Sequence, residues 1–257
     1  MKTLFKTKKQ PAVIEKDFFK ITRNYELFQL LPDNRDVCQK NINFLMNEIK
    51  ISEQIMPLLC KENNGKLDIY DGQNRYFALK NLNYPIKYVI DNTLQPDYVT
   101  HIQKGKQWTI IDWIKRYSVR GKYDYKALRK KIEDYKGVFS PAALAEIYCD
   151  DKGKITHMSQ FVKNGDYKIN IQKGDQIINY IGSCYKADKD KKYLSRMFIR
   201  SFVEIYNNCP NFKIETFLGK IQKHNLKILR TRKETCDSII ELYNYKIKLD
   251  TNRIKME

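Results

Sequence analysis

Two short runs of this chain carry side chains suited to holding a ligand: Asp71–Gly72–Gln73–Asn74–Arg75 and Asn34–Arg35. Gly72 lets the backbone turn tightly after Asp71. The residues beyond it place Phe77, Ala78, Leu79 and Leu82 at helical spacing, which predicts a helix over 74–82. Amide groups at the start of such a helix suit a phosphate. Arg75, in the first turn, adds a forked guanidinium for phosphate or carboxylate. Asp71 could orient a ribose, pair with Arg75 or meet a metal. Gln73 and Asn74 bring amides but no acid, base or nucleophile. Asn34–Arg35 stands before a second helical pattern and makes a polar turn of the same kind. Two such turns facing each other would form a cleft for a phosphorylated ligand. A plainer reading stays open beside this one: Asp71 caps the helix, Arg75 pairs with it, and neither holds a ligand.

The second class of candidate residues is cationic. The chain has 48 basic and 30 acidic residues among 257, a net charge of +18. That balance favours a polyanion as partner, with DNA first and RNA as the alternative. Lysine outnumbers arginine, which suits phosphate attraction better than bidentate reading of bases. Lys126, Arg129, Lys130 and Lys131 crowd one helical segment, and Arg230, Arg232 and Lys233 follow another. Lys163 could reach phosphate beside Thr156, His157, Ser159 and Gln160, which would face a groove. A solvated basic face explains either patch taken alone equally well; the total charge tilts the reading toward binding.

The elements that must position these residues are legible from periodicity. Val37–Ile51 reads as a helix with Ile42, Leu45, Met46 and Ile49 on one face. Leu58–Cys60, with Pro57 at its start, and Lys66–Tyr70 read as a hairpin around Glu62–Gly65. Lys66–Tyr70, the helix after Gly72 and Ile86–Ile90 read as one β-α-β unit. Beyond about residue 96 the texture turns helical. Thr109 with Asp112 predicts a capping box, and Ser140–Pro141 an N-cap with a first-turn proline. Further helical patterns cover 124–135, 156–162, 174–181, 193–207, 214–224 and 234–245, with a strand over 167–171 and the basic run 230–233 as an interruption. The expected fold class is α+β: a small α/β domain over 1–96 followed by a basic, mainly helical domain over 97–257.

The six cysteines are scattered without a CxxC, and the three histidines form no ligand cluster, so no metal site is expected. Reduced, buried thiols and a chain with no apolar segment of signal or membrane-spanning length read as a cytoplasmic protein without membrane contact. A homodimer fits the same reading.

Asp33–Val37, the helix to Ile51, Pro57–Leu59 and the run from Ile69 to Ile90 together resemble the N-terminal domain of the ParB/sulfiredoxin superfamily, over roughly residues 27–90. In that superfamily a polar turn, a helix and a strand–Asp–Gly–x–x–Arg–helix unit make a nucleotide pocket. The resemblance implies CTP or ATP with Mg2+ as cofactor, held by Asn34, Arg35 and Asp71 to Arg75. Gly72 and Arg75 match the first and last residues of the partitioning proteins' glycine–glutamate–arginine–arginine motif. Gln73 stands where the acid would be and Asn74 where the first arginine would be. The missing acid argues against metal-assisted hydrolysis, and the missing arginine weakens any triphosphate grip. Gln73 also occupies the position of the sulfiredoxin cysteine, which excludes that reductase chemistry. Free-serine kinases of the same fold share the Asp–Gly–x–x–Arg frame, but their histidine and glutamate have no secure match beyond Glu48 or Glu53. ParB proteins follow this domain with a helix-turn-helix; Ser140–Ile147 resembles its first helix, although the loop over 149–155 is longer than the usual turn. The resemblance implies a DNA-binding protein, of phage or mobile-element type, with a degenerate nucleotide domain. A nucleotide hydrolase or phosphotransferase and a non-catalytic interaction module are the rival expectations.

Overall fold

The computed structural model describes residues 19–102, 107–150 and 158–256. The readings of Thr156 and His157 lie outside the described residues. The chain divides into two compact units between Gln107 and Trp108. The first is mixed α/β on a five-stranded sheet; the second is mainly helical.

In the first unit the strands are β1 (Lys20–Thr22), β2 (Phe28–Leu30), β3 (Leu58–Asn63), β4 (Lys66–Asp71) and β5 (Ile86–Ile90), in the sheet order β1-β5-β3-β4-β2. The hairpin β3–β4 turns through Asn64 at φ 49° and Gly65 at φ 75°. Both are left-handed, as a two-residue Asn-Gly hairpin turn requires. β2 pairs parallel to β4 and β5 parallel to β3, while β1 closes the edge antiparallel to β5. Helices α1 (Gln39–Ser52) and α2 (Gln73–Leu82) pack together. Ile42, Ile49, Ala78 and Leu79 join Leu58, Ile69 and Ile86 in one buried cluster. A short helix, α3 (Tyr98–Ile102), packs on β4 and so goes with this unit.

The expected β-α-β unit takes another form. Leu59 pairs with Asp71 and Leu58 with Tyr88, so β4 ends and β5 begins at the same end of the sheet. The two strands are antiparallel with β3 between them, and α2 joins them across that end. The hairpin claims the slot beside β4, and a ten-residue helix of about 15 Å carries the chain past β3. Asn83, left-handed at φ 55°, ends α2 with its N–H on the Leu79 and Lys80 carbonyls.

The second unit comprises α4 (Ile110–Val119), α5 (Tyr123–Asp134), α6 (Pro141–Tyr148), α7 (Met158–Asn164), α8 (Ile171–Asp188), α9 (Arg196–Asn208), α10 (Ile214–Ile221) and α11 (Arg232–Asn244). Their starts follow the sequence: Thr109/Asp112 and Thr231/Glu234 form capping boxes, and Ser140, Asn170 and Ser195 cap α6, α8 and α9. Helix α6 is the hub, with every residue from Ala143 to Tyr148 buried and α4, α5, α7, α8 and α9 packed around it. Its alanines permit that close approach, and Gly174 of α8 completes it: a Cβ there would lie 2.0 Å from the Tyr148 ring. The expected strand over 167–171 is a single bridge, Cys149 to Ile169, because α8 starts at Ile171. The run 230–233 straddles the end of a break between α10 and α11: Arg230 precedes the helix, Thr231 caps α11, and Arg232 and Lys233 begin it.

Candidate functional site

The two polar turns of the first unit are joined. Gln73 is buried, and its side-chain Nε2 donates to the Arg35 carbonyl at 2.7 Å. The Asn74 side-chain carbonyl accepts from the Cys38 N–H at 2.9 Å. Cys38 is the N-cap of α1 and has no side-chain cap of its own, so Asn74 serves α1 as a cap from outside. Asn34 is buried, and its Oδ1 accepts from the Arg35 N–H at 2.8 Å, fixing the first turn locally. Tertiary contact therefore brings together Asn34, Arg35, Gln73 and Asn74 through amides rather than charges.

Arg75 is placed differently from a ligand-gripping fork. Its Nη1 donates to the Pro57 carbonyl at 2.9 Å. Burial pulls its pKa down, and the nearby Asp71 carboxylate partly offsets that. Gly72, at φ +94°, lies against both: a Cβ there would sit 2.6 Å from Leu58 Cδ2 and 2.9 Å from Arg75 Nη1. The guanidinium thus clamps the start of α2 to the strand entry at Pro57. A cavity of about 460 Å³ in this unit lies elsewhere, between Arg23, Ile49, Gln54, Leu79, Pro85 and Lys87.

The cationic candidates of the second unit separate into two groups. Lys126, Arg129 and Lys130 are exposed on α5, flanking its buried Tyr125 and Leu128. None of the three pairs with a carboxylate among the described residues. Arg230 and Lys233, exposed at the start of α11, and Lys163, exposed on α7, are likewise unpaired there. Lys163 belongs to the end of α7 that Tyr117 and Lys122 hydrogen-bond, next to the start of α5. Lys131 instead reaches Asp175 at 2.6 Å and lies over the Tyr148 ring, and Arg232 meets Glu204 at 2.8 Å. Those two cations hold helices together. The buried faces of α6 and of α7, where Met158 and Val162 point inward, leave Ser159, Gln160 and Lys163 outside.

One cluster escaped the sequence reading. Glu146 of α6 is 1% exposed, and its Oε1 lies 3.1 Å from Arg196 Nη2 and 3.2 Å from Arg200 Nε of α9. Burial pushes the Glu146 carboxyl up, against the pull of Arg200 and Arg196. The signal was present as an acid inside an otherwise apolar helix start, Ala142 to Tyr148, with two arginines four residues apart elsewhere.

Cys60, Cys184 and Cys236 are buried thiols that desolvation pushes up to about 12. Among the described residues no group of three or more His, Cys, Asp and Glu side chains could hold a metal ion, and no helix is long and apolar enough to cross a membrane. A scan of the sequence against protein-family models finds no match, and neither does a search of curated proteins.

Proposed function

We propose that this chain is a nucleic-acid-binding protein that contacts backbone phosphates through its helical unit. The observation that carries the reading is the face of α5. Lys126, Arg129 and Lys130 stand exposed at spacings of three and four residues, unpaired among the described residues, on a helix that Tyr125 and Leu128 anchor in the core. Exposed cations without partners neutralise phosphate at no cost in broken ion pairs. The chain's net charge of +18 extends the attraction beyond one helix. Arg230, Lys233 and Lys163 are further phosphate contacts on this reading. DNA is the proposed partner, as the ParB-like order of elements also suggests, with RNA distinguished by direct competition. Binding of a labelled duplex by the whole chain, followed across a salt series, tests it: affinity should fall steeply and linearly on a log–log plot, and an affinity indifferent to salt refutes it.

A second reading concerns the first unit, and the joined turns favour it. On this reading the α2 start, whose N-cap Gly72 supplies no side-chain cap, takes a nucleotide phosphate beside Asn34 and Arg35. The commitment of Arg75 to Pro57 and the amides at 73 and 74 fit binding without turnover. A thermal-shift panel of CTP, ATP and GTP, with and without Mg2+, tests it; no stabilisation by any of them removes the reading.

A further inference from the structure

We propose that a cavity in the helical unit, beside Glu146, binds a phosphate monoester. The cavity measures about 240 Å³ and is lined by Ile110, Ala142, Glu146, Met158, Ser159, Arg196 and Arg200. This inference does not depend on the basic face of α5.

Glu146 sits on the hub helix with both arginines on one oxygen, Oε1. Its other oxygen, Oε2, is buried and has no hydrogen-bond partner among the described residues. A carboxylate has acceptor sites on both oxygens, and one left unserved in a buried site is costly. The missing partner is a donor. The same wall presents two guanidiniums against one carboxylate, with further N–H groups left on each arginine, so the cavity favours an anion. A ligand that satisfies both demands is an anion bearing its own proton. Phosphate monoesters and inorganic phosphate are such anions near neutral pH. One proton is shared between Glu146 Oε2 and a phosphoryl oxygen, the remaining oxygens meet Arg196 and Arg200, and the Ser159 hydroxyl lies on the same wall. Ile110, Ala142 and Met158 offer an apolar side to the esterified group. Arg196 is 55% exposed and forms the mouth. Sulfate and phosphate diesters match the shape and charge but carry no proton, so they leave Oε2 facing a second anion.

Calorimetric titration of the whole chain with inorganic phosphate, phenyl phosphate, sulfate and diethyl phosphate tests this. Both proton-bearing anions should bind, and sulfate and diethyl phosphate should bind at least about tenfold more weakly, the value of one charge-assisted hydrogen bond. In Glu146→Gln the amide can donate to either anion, so the preference for phosphate over sulfate should shrink by about the same factor. Arg196→Gln, at the exposed mouth, should weaken phosphate about tenfold while leaving the helical circular dichroism unchanged. Failure of both phosphates to bind, equal affinity for sulfate, or full phosphate affinity in Arg196→Gln each overturns the proposal, whether or not Glu146→Gln folds. A 5′-phosphorylated oligonucleotide binding more tightly than its 5′-hydroxyl counterpart would assign the ester to a strand end. Equal binding of the two, with phenyl phosphate retained, would assign it to a free small molecule.

Discussion

Neutralising the exposed face of α5 gives the most discriminating prediction. The perturbation is the triple variant Lys126→Gln, Arg129→Gln, Lys130→Gln. All three side chains are exposed and unpaired among the described residues, so the variant should fold and melt like the parent. Each phosphate contact contributes about 0.9 to the slope of log affinity against log salt, so three contacts contribute about 2.7. Between 50 and 200 mM salt, a fourfold change, that slope corresponds to about a 40-fold loss of affinity. The parent should therefore lose about 40-fold more affinity over this interval than the variant. Fluorescence anisotropy of a labelled duplex at four or more salt concentrations reads both slopes. Lys131→Gln and Arg232→Gln serve as controls, because their cations are committed to Asp175 and Glu204; they should lower stability and leave the slope alone. An unchanged slope in a folded triple variant would refute the assignment of this face. A slope lost in the two controls instead would show that the paired cations, not the free ones, meet the partner.

Other outcomes follow from the same geometry. Gly72→Ala forces a side chain into a left-handed position and onto Leu58 and Arg75, so the first unit should lose about 2 kcal/mol or more in urea unfolding; an unchanged midpoint would contradict the packing at α2. Arg75→Ala removes the charged donor from the Pro57 carbonyl and should cost about 2 kcal/mol, without altering the salt slope for duplex binding. Hydrogen bonds from Lys192 and Tyr193 hold the Asp188 carboxyl below the ordinary range, so the unfolded chain takes up that proton first as acid is added. Its stabilisation is full above the ordinary aspartate pKa of about 4 and is lost as pH falls through the folded value. Asp188→Asn should flatten that part of the stability–pH curve, and a curve unchanged by the substitution would exclude the assignment.

The sequence by itself determined what depends on near neighbours in the chain. The hairpin at Asn64–Gly65, the capping box at Thr109, the glycine turn into α2 and strand β5 all rest on local backbone chemistry, and periodicity alone located their flanking helices. Charge, too, is additive along a chain, so a basic protein was legible without coordinates. Tertiary structure decided everything that depends on which distant residues meet. Only the sheet register shows that β4 and β5 run antiparallel around β3. Of eight cations that look alike in sequence, Lys131 and Arg232 are spent on Asp175 and Glu204, carboxylates 44 and 28 residues away along the chain, while the other six stay in water. Arg75 is likewise turned from a ligand fork into a clamp by the carbonyl of Pro57, and Glu146 becomes a buried acid only because α9 lays two arginines beside it. A side chain's type is written locally, but its burial and its partner are properties of the packed chain, and those two decide whether a charge stabilises the fold or remains available to a ligand.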